Sequence, residues 1–231
     1  MNRLRLLVLF SLLAHTLSAQ TPQIDTVSAR FDRLAKAMHL REPELAPGTY
    51  QVRLWVRPSF GYGDAQTLYV LDKTPDRLLL SAYDLYWTKN ELRNTVRTVN
   101  DQPADTTVWQ QLLRNDLLTL PDQSTLREQL YPKNNDSSWV EMTRGEVVVK
   151  AKALERTVHV LDGTSYRFEI RTANGRRDYE YSCPATYARV RTRVVELQQA
   201  VSLIKQIFAL FGDQSRICRV YAAPTKPDEN G

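Results

Sequence analysis

The sequence predicts an α+β protein: an antiparallel β-sheet of meanders and hairpins, packed by a long C-terminal helix and an N-terminal helix. Three observations carry this reading. Short runs with alternating apolar residues, separated by turn residues, occur within 49–88 and again within 139–183. An Asn174-Gly175 pair sits between two of these runs. After Pro184, apolar residues recur every three or four positions as far as Phe211, which is the spacing of one helix face. Helices set against an antiparallel sheet define the α+β class.

Taken in order, the chain opens on Asn2-Arg3-Leu4-Arg5, continues through apolar Leu6 to Leu13 and reaches Leu17-Ser18-Ala19. A basic start, a short apolar core and a small residue before the cut are the parts of a secretory signal peptide. Residues 1–19 are therefore expected to be removed near Ala19, leaving a periplasmic or secreted protein. No later apolar run approaches the length that crosses a bilayer. Arg3 and Arg5 leave with the signal, so 29 basic and 26 acidic side chains remain, a net charge of +3 rather than +5. So small a balance, with both signs interspersed, argues against nucleic acid as a partner. The remaining residues, 20–231, are read as one exported domain, with a boundary near 100–105 as the alternative.

Ile24, Val27, Phe31, Leu34, Ala35 and Met38 have helical spacing, and Pro43 with Pro47-Gly48 ends that helix. Residues 49–56, 66–72 and 77–88 predict a three-stranded meander, joined by a turn-rich loop at 58–63 and by Lys73-Thr74-Pro75-Asp76. Residues 90–100 mix helix formers with β-branched residues and stay undecided. Residues 106–114 predict a helix capped by Asp105, with Val108, Leu112 and Leu113 on one face. A short helix is expected at 123–130, and strands at 139–143, 146–152 and 156–161.

A type I′ turn centred on Asn174-Gly175 would pair Ile170 with Tyr179, Phe168 with Tyr181 and Tyr166 with Cys183. One face of this hairpin is then apolar. The other carries Arg167, Glu169, Arg171, Asp178 and Glu180, with Glu169 directly opposite Glu180, and reads as solvated. Residues 156–161 are expected to pair with 165–169, Val158 opposite Phe168 and Val160 opposite Tyr166, which places His159 on the polar face. The helix from Ala185 to Phe211, started by Pro184 and stopped by Gly212, is expected to pack on the sheet. Its stripe would also serve as a homodimer seam. Cys183 and Cys218 are an even pair in an exported chain and predict a disulfide worth about 3 to 4 kcal/mol.

The chemistry-bearing residues are few. His159, Glu169 and Glu180 are the candidates for acid/base work of a hydrolase type, and His159 with Asp162 and Ser165 shares only a turn. No set of residues has the spacing of a metal site, a phosphate loop or a cofactor motif. Trp55, Tyr83 and Trp87 are candidates for an aromatic ligand-binding surface. The basic cluster Arg171, Arg176, Arg177, Arg189, Arg191 and Arg193 reads as a solvated rim. Taken together these features favour a non-enzymatic protein that binds an unknown protein or small ligand. A hydrolase and a helix-mediated homodimer are the alternatives.

Overall fold

The computed structural model describes residues 27–40, 42, 45–58, 66–88, 91–103, 106–131, 138–143, 146–151 and 163–213. The chain divides into two compact units, Met1–Arg41 and Glu42–Gly231. The division falls at Arg41, whereas residues 100–103 lie inside a sheet strand. In the first unit, helix α1 (Val27–Ala37) forms where the apolar spacing predicted it, and Phe31, Leu34, Ala35 and Met38 are buried.

In the second unit, β1 (Tyr50–Pro58), β2 (Gln66–Lys73) and β3 (Arg77–Thr88) make the predicted meander, and β4 (Glu91–Pro103) extends it. The undecided segment at 90–100 is thus a strand: its β-branched residues found a partner in β3, which outweighs local helix preference. Next come α2 (Thr106–Arg114), a 3₁₀ turn (Gln123–Leu126) running into α3 (Arg127–Leu130), and a hairpin of β5 (Ser138–Thr143) with β6 (Glu146–Ala151). Strands β7 (Thr164–Thr172) and β8 (Gly175–Ser182) complete the main sheet, and α4 (Pro184–Val190) and α5 (Val195–Leu210) follow. Among the described residues the main sheet has six antiparallel strands in the order β4-β3-β2-β1-β7-β8, and it is open.

Helices cover one face of that sheet. Tyr50, Val52, Leu54 and Val56 of β1 share it with Tyr69 and Leu71, Leu78 and Leu80, Tyr166, Phe168 and Ile170, and Tyr179 and Tyr181. Trp109 of α2 packs on Tyr50 with ring centroids 5.1 Å apart, and Phe208 of α5 packs on Tyr69 at 5.3 Å. Leu197, Ala200, Leu203, Ile204, Ile207 and Phe208 bury the inner side of α5 in the same core. The expected sheet packing of the C-terminal helix is therefore realised, and it uses Leu197, Ile204 and Phe208 of the stripe.

Three expectations are corrected. The C-terminal helix is two helices: Arg191 takes φ −105° and ψ 60°, and its Nε donates to the Leu130 carbonyl at 3.0 Å. The β-branched residues Val190, Thr192, Val194 and Val195 resist a helix weakly, and this tertiary hydrogen bond decides the break. The hairpin turn is Ala173-Asn174, pairing Thr172 with Gly175, Phe168 with Tyr179 and Tyr166 with Tyr181. In this turn only Gly175 needs positive φ, at 134°, and the Thr172 hydroxyl accepts the Asn174 N–H at 3.2 Å. The shift moves each partner by two residues, so the faces survive while the pairs change. Lastly, β7 lies between β1 and β8, so both of its hydrogen-bonding edges are taken. Phe168 and Tyr166 face Leu54 and Val56 on one side and Tyr179 and Tyr181 on the other, and the expected strand at 156–161 lies outside the described residues.

The outer edge of β8, a template for unwanted strand pairing, is covered by side chains. Asp122 accepts the Glu180 N–H at 2.8 Å and Gln123 accepts the Ser182 N–H at 2.7 Å. Arg177 donates to the carbonyls of Leu118, Thr119 and Leu120, which end the turn after α2. Arg177 and Arg191 thus leave the expected solvated rim and tie elements together.

Candidate functional site

A β-bulge builds the first candidate site. In the β3–β4 pairing Ala82 faces Thr98 and Tyr83 faces Val96, which leaves Arg97 as the extra residue. Bulges re-aim side chains. Here the guanidinium reaches the helix-covered face, where it pairs with Asp84 at 3.2 Å, donates to the Tyr69 hydroxyl at 3.2 Å and contacts the Asp213 carboxylate. Asp213 also accepts the Tyr69 O–H at 2.7 Å, and the Thr67 hydroxyl donates to Asp84 at 3.0 Å. Two carboxylates around one cation keep Arg97 protonated: the hydrogen bond it donates to Asp213 pushes its pKa up, against the smaller effect of burial. Asp213 owes its place to the end of α5. Gly212 takes φ 71° there, the Asp213 N–H returns to the Phe208 carbonyl at 2.8 Å and the Gly212 N–H to Ala209 at 3.2 Å.

Beside this network lies a cleft of about 440 Å³ at the end of the sheet, lined by Val56 and Pro58 of β1, Gln66 and Thr67 of β2, Asp84, Leu85 and Tyr86 of β3, and Thr164 of β7. The walls are largely apolar. Gln66 is 4% exposed, and its carboxamide oxygen, itself buried, has no hydrogen-bond partner among the described residues.

The opposite face of the sheet carries the residues singled out as polar, and it is buried rather than solvated. Gln51, Arg53, Trp55, Leu68, Val70, Ser81, Leu85, Arg167 and Glu169 are all buried there. Glu169 is 0% exposed and lies opposite Arg53 in the β1–β7 register, with Nη1 at 3.3 Å from Oε1. Arg171 Nε donates to the same oxygen at 2.6 Å, the Trp55 indole N–H donates to Oε2 at 3.3 Å, and Arg176 Nε stands 3.7 Å away. Burial pulls the Arg53 pKa down; Glu169 opposes that and Arg171 adds to it. Burial likewise lowers the Arg171 pKa, but the hydrogen bond to Glu42 and the charge of Glu169 outweigh it and the pKa ends raised.

The like-charge conflict expected between Glu169 and Glu180 sits one pair over. Glu169 faces Asp178, and Glu180 faces Arg167. Arginines settle it, since Asp178 accepts from Arg167 at 2.6 Å and from Arg176 at 2.9 Å. Buried carboxylates need such partners, because leaving water is offset only by close charge-assisted hydrogen bonds.

Of the other predicted site residues, Trp55 is not an exposed platform: it is 1% exposed and bonded to Glu169. Tyr83 is half-buried, opposite Leu68 and Val96. Trp87 is in β3 opposite Leu92, and its side chain lies outside the described residues, as do His159, Asp162 and Cys218. Glu180 is half-buried. Cys183 is buried at the start of α4 in the left-handed region, φ 46°, and its N–H donates to the Thr164 carbonyl at 3.0 Å. The disulfide to Cys218 therefore stays an expectation. Among the described residues no group of three or more His, Cys, Asp and Glu is arranged to hold a metal ion.

Arg97, Asp213, Asp84 and Gln66 went unmarked at the sequence level. One signal was present: the alternation of β4 falters at Thr95-Val96-Arg97-Thr98, where the bulge lies.

By fold and site this is an α+β protein with an open six-stranded antiparallel sheet, a helix-covered face, a buried arginine–carboxylate layer and a cleft at one end. Comparison with protein-family models, with curated proteins and with solved structures finds no match.

Proposed function

We propose that this chain is an exported, non-enzymatic protein of the cell envelope or extracellular space that binds a small ligand in the cleft at the end of the sheet. The observation that carries this reading is the cleft itself: about 440 Å³, walled by Val56, Pro58, Leu85 and Tyr86, with Gln66, Thr67, Asp84 and Thr164 as its polar residues. Concave, mainly apolar clefts with a few placed polar groups are the usual form of small-molecule sites. The fate of Glu169 favours binding over acid/base chemistry. Fully buried and held by Arg53, Arg171 and Trp55, it has a structural occupation. Export rests on the basic and apolar pattern of residues 1–19, and no helix among the described residues is long and apolar enough to cross a membrane.

Titration with an uncharged apolar reporter dye tests the cleft. Saturable binding at one site is expected, weakened in Tyr86→Ala, a change at a position 43% exposed and therefore tolerable to the core. Equal binding by that variant, or no saturable binding by the natural chain, overturns the assignment. For export, cell fractionation with N-terminal sequencing is expected to find the protein outside the cytoplasm, beginning at Gln20.

A further inference from the structure

The arginine cluster that reads from the sequence as a solvated rim is mostly consumed by the fold. Arg171 and Arg176 hold Glu169 and Asp178, Arg177 holds the carbonyls after α2, and Arg191 holds the Leu130 carbonyl. Arg189 and Arg193 are left. Both are exposed, and neither meets a carboxylate among the described residues. They flank Arg191 at the connection of α4 and α5, in a stretch from Ala185 to Val195 that contains three arginines and no acid.

Exposed cations are content in water, so their charge alone selects no partner. Their apolar neighbours narrow the choice. Val190 and Val195 of the same stretch are exposed, Val195 to 60%, and so is Tyr131. Tyr131 is held at this place, its hydroxyl 2.5 Å from that of Tyr187 in α4 and its neighbour Leu130 bonded to Arg191. Cations interleaved with exposed apolar side chains suit a surface that is anionic outside and hydrocarbon beneath, which is a bilayer of anionic lipid. Guanidinium groups match phosphate oxygens in geometry as well as charge, and tyrosine favours the boundary between water and hydrocarbon. An acidic protein surface would answer the arginines and leave the valines without a reason.

We infer that the α4–α5 connection docks the protein on a membrane surface rich in anionic phospholipid. Arg189 and Arg193 meet the phosphates, and Val190, Val195 and Tyr131 enter the interface. This surface shares no residue with the cleft, so it stands or falls apart from the ligand reading.

Co-sedimentation with vesicles of phosphatidylcholine, alone or mixed with phosphatidylglycerol, tests the docking. The protein used is residues 20–231, which hold every described element, because the apolar core of residues 1–19 would enter bilayers by itself. Each arginine near an anionic surface contributes about fivefold, so the mixed vesicles are expected to bind at least about tenfold more tightly than the neutral ones. Arg189→Gln combined with Arg193→Gln is expected to remove that excess with an unchanged thermal midpoint, since both side chains are exposed. Val190→Ser combined with Val195→Ser is expected to weaken binding to the mixed vesicles by about threefold or more while both arginines stay. Equal binding to the two vesicle types, no binding to either, or full binding by the arginine variant overturns the docking. Vesicle binding that the valine variant retains and soluble polyglutamate displaces also overturns it, and assigns the patch to an acidic protein instead.

Discussion

Arginine carries much of the polar structure of this chain, and at each site it is set by geometry rather than by charge alone. Arg53, Arg171 and Arg176 surround the fully buried Glu169, and Arg177 and Arg191 bind carbonyls that end turns and helices. A planar guanidinium with five donors can satisfy several acceptors at once, which a lysine ammonium cannot do with the same directionality. Removing Glu169 would leave three guanidinium groups crowded together without their shared counter-charge. Glu169→Ala is accordingly expected to destabilise the protein by about 3 to 5 kcal/mol, seen as a lower urea midpoint. A loss under about 1 kcal/mol would mean that water reaches and solvates this cluster.

At the scale of elements, short-range signals suffice where an element needs only local support. The helix at Thr106–Arg114 and the meander of β1 to β3 follow from apolar spacing and turn residues. The helix stop at Gly212 is another local signal, since its φ of 71° suits glycine and the two hydrogen bonds closing α5 depend on it. Nothing lies within 4 Å of a methyl group placed there, so the penalty for Gly212→Ala is purely conformational. It should cost about 1 kcal/mol, read as a lower thermal midpoint. Because Asp213 follows directly, the same variant should also loosen the Arg97 network and change binding in the cleft. Elements that depend on a distant partner carry no such local signal. The break at Arg191 needs the Leu130 carbonyl, the strand at Glu91–Pro103 needs β3, and the β7 register needs to know that β1 takes one of its edges.

Across the whole molecule, three tyrosines in the helix-covered core link stability to pH. Burial raises the pKa of Tyr179, Tyr181 and Tyr187 above the ordinary value of 10.0. In the unfolded chain these phenols ionise near that value, and in the folded protein they stay neutral. The unfolded state therefore binds fewer protons above it, and stability falls as pH rises. The contribution is complete below pH 10 and is lost progressively above it. Denaturant midpoints measured across neutral to alkaline pH should be flat up to about that point and then decline. Tyr179→Phe should flatten the decline while losing the hydrogen bond from its hydroxyl to the Leu117 carbonyl, 2.8 Å long. A midpoint independent of pH up to strongly alkaline conditions would show that these hydroxyls ionise freely in the folded state.

The sequence by itself determined the α+β class, the antiparallel sheet, most strand positions and the apolar side of β1 and of the β7–β8 hairpin, because alternation and helical spacing report which side of an element leaves water. Only the tertiary structure decided that the central strands of the sheet are buried on both faces, that Trp55 and Glu169 are held inside it rather than presented to a ligand, and that a bulge turns Arg97 toward Asp84 and Asp213. A charged residue on a strand reads as solvated from its neighbours in the chain, yet its partners here are far away in sequence: Arg53 and Glu169 are 116 residues apart. The cleft follows the same rule. Its lining comes from the ends of β1, β2, β3 and β7, brought side by side only when the sheet forms.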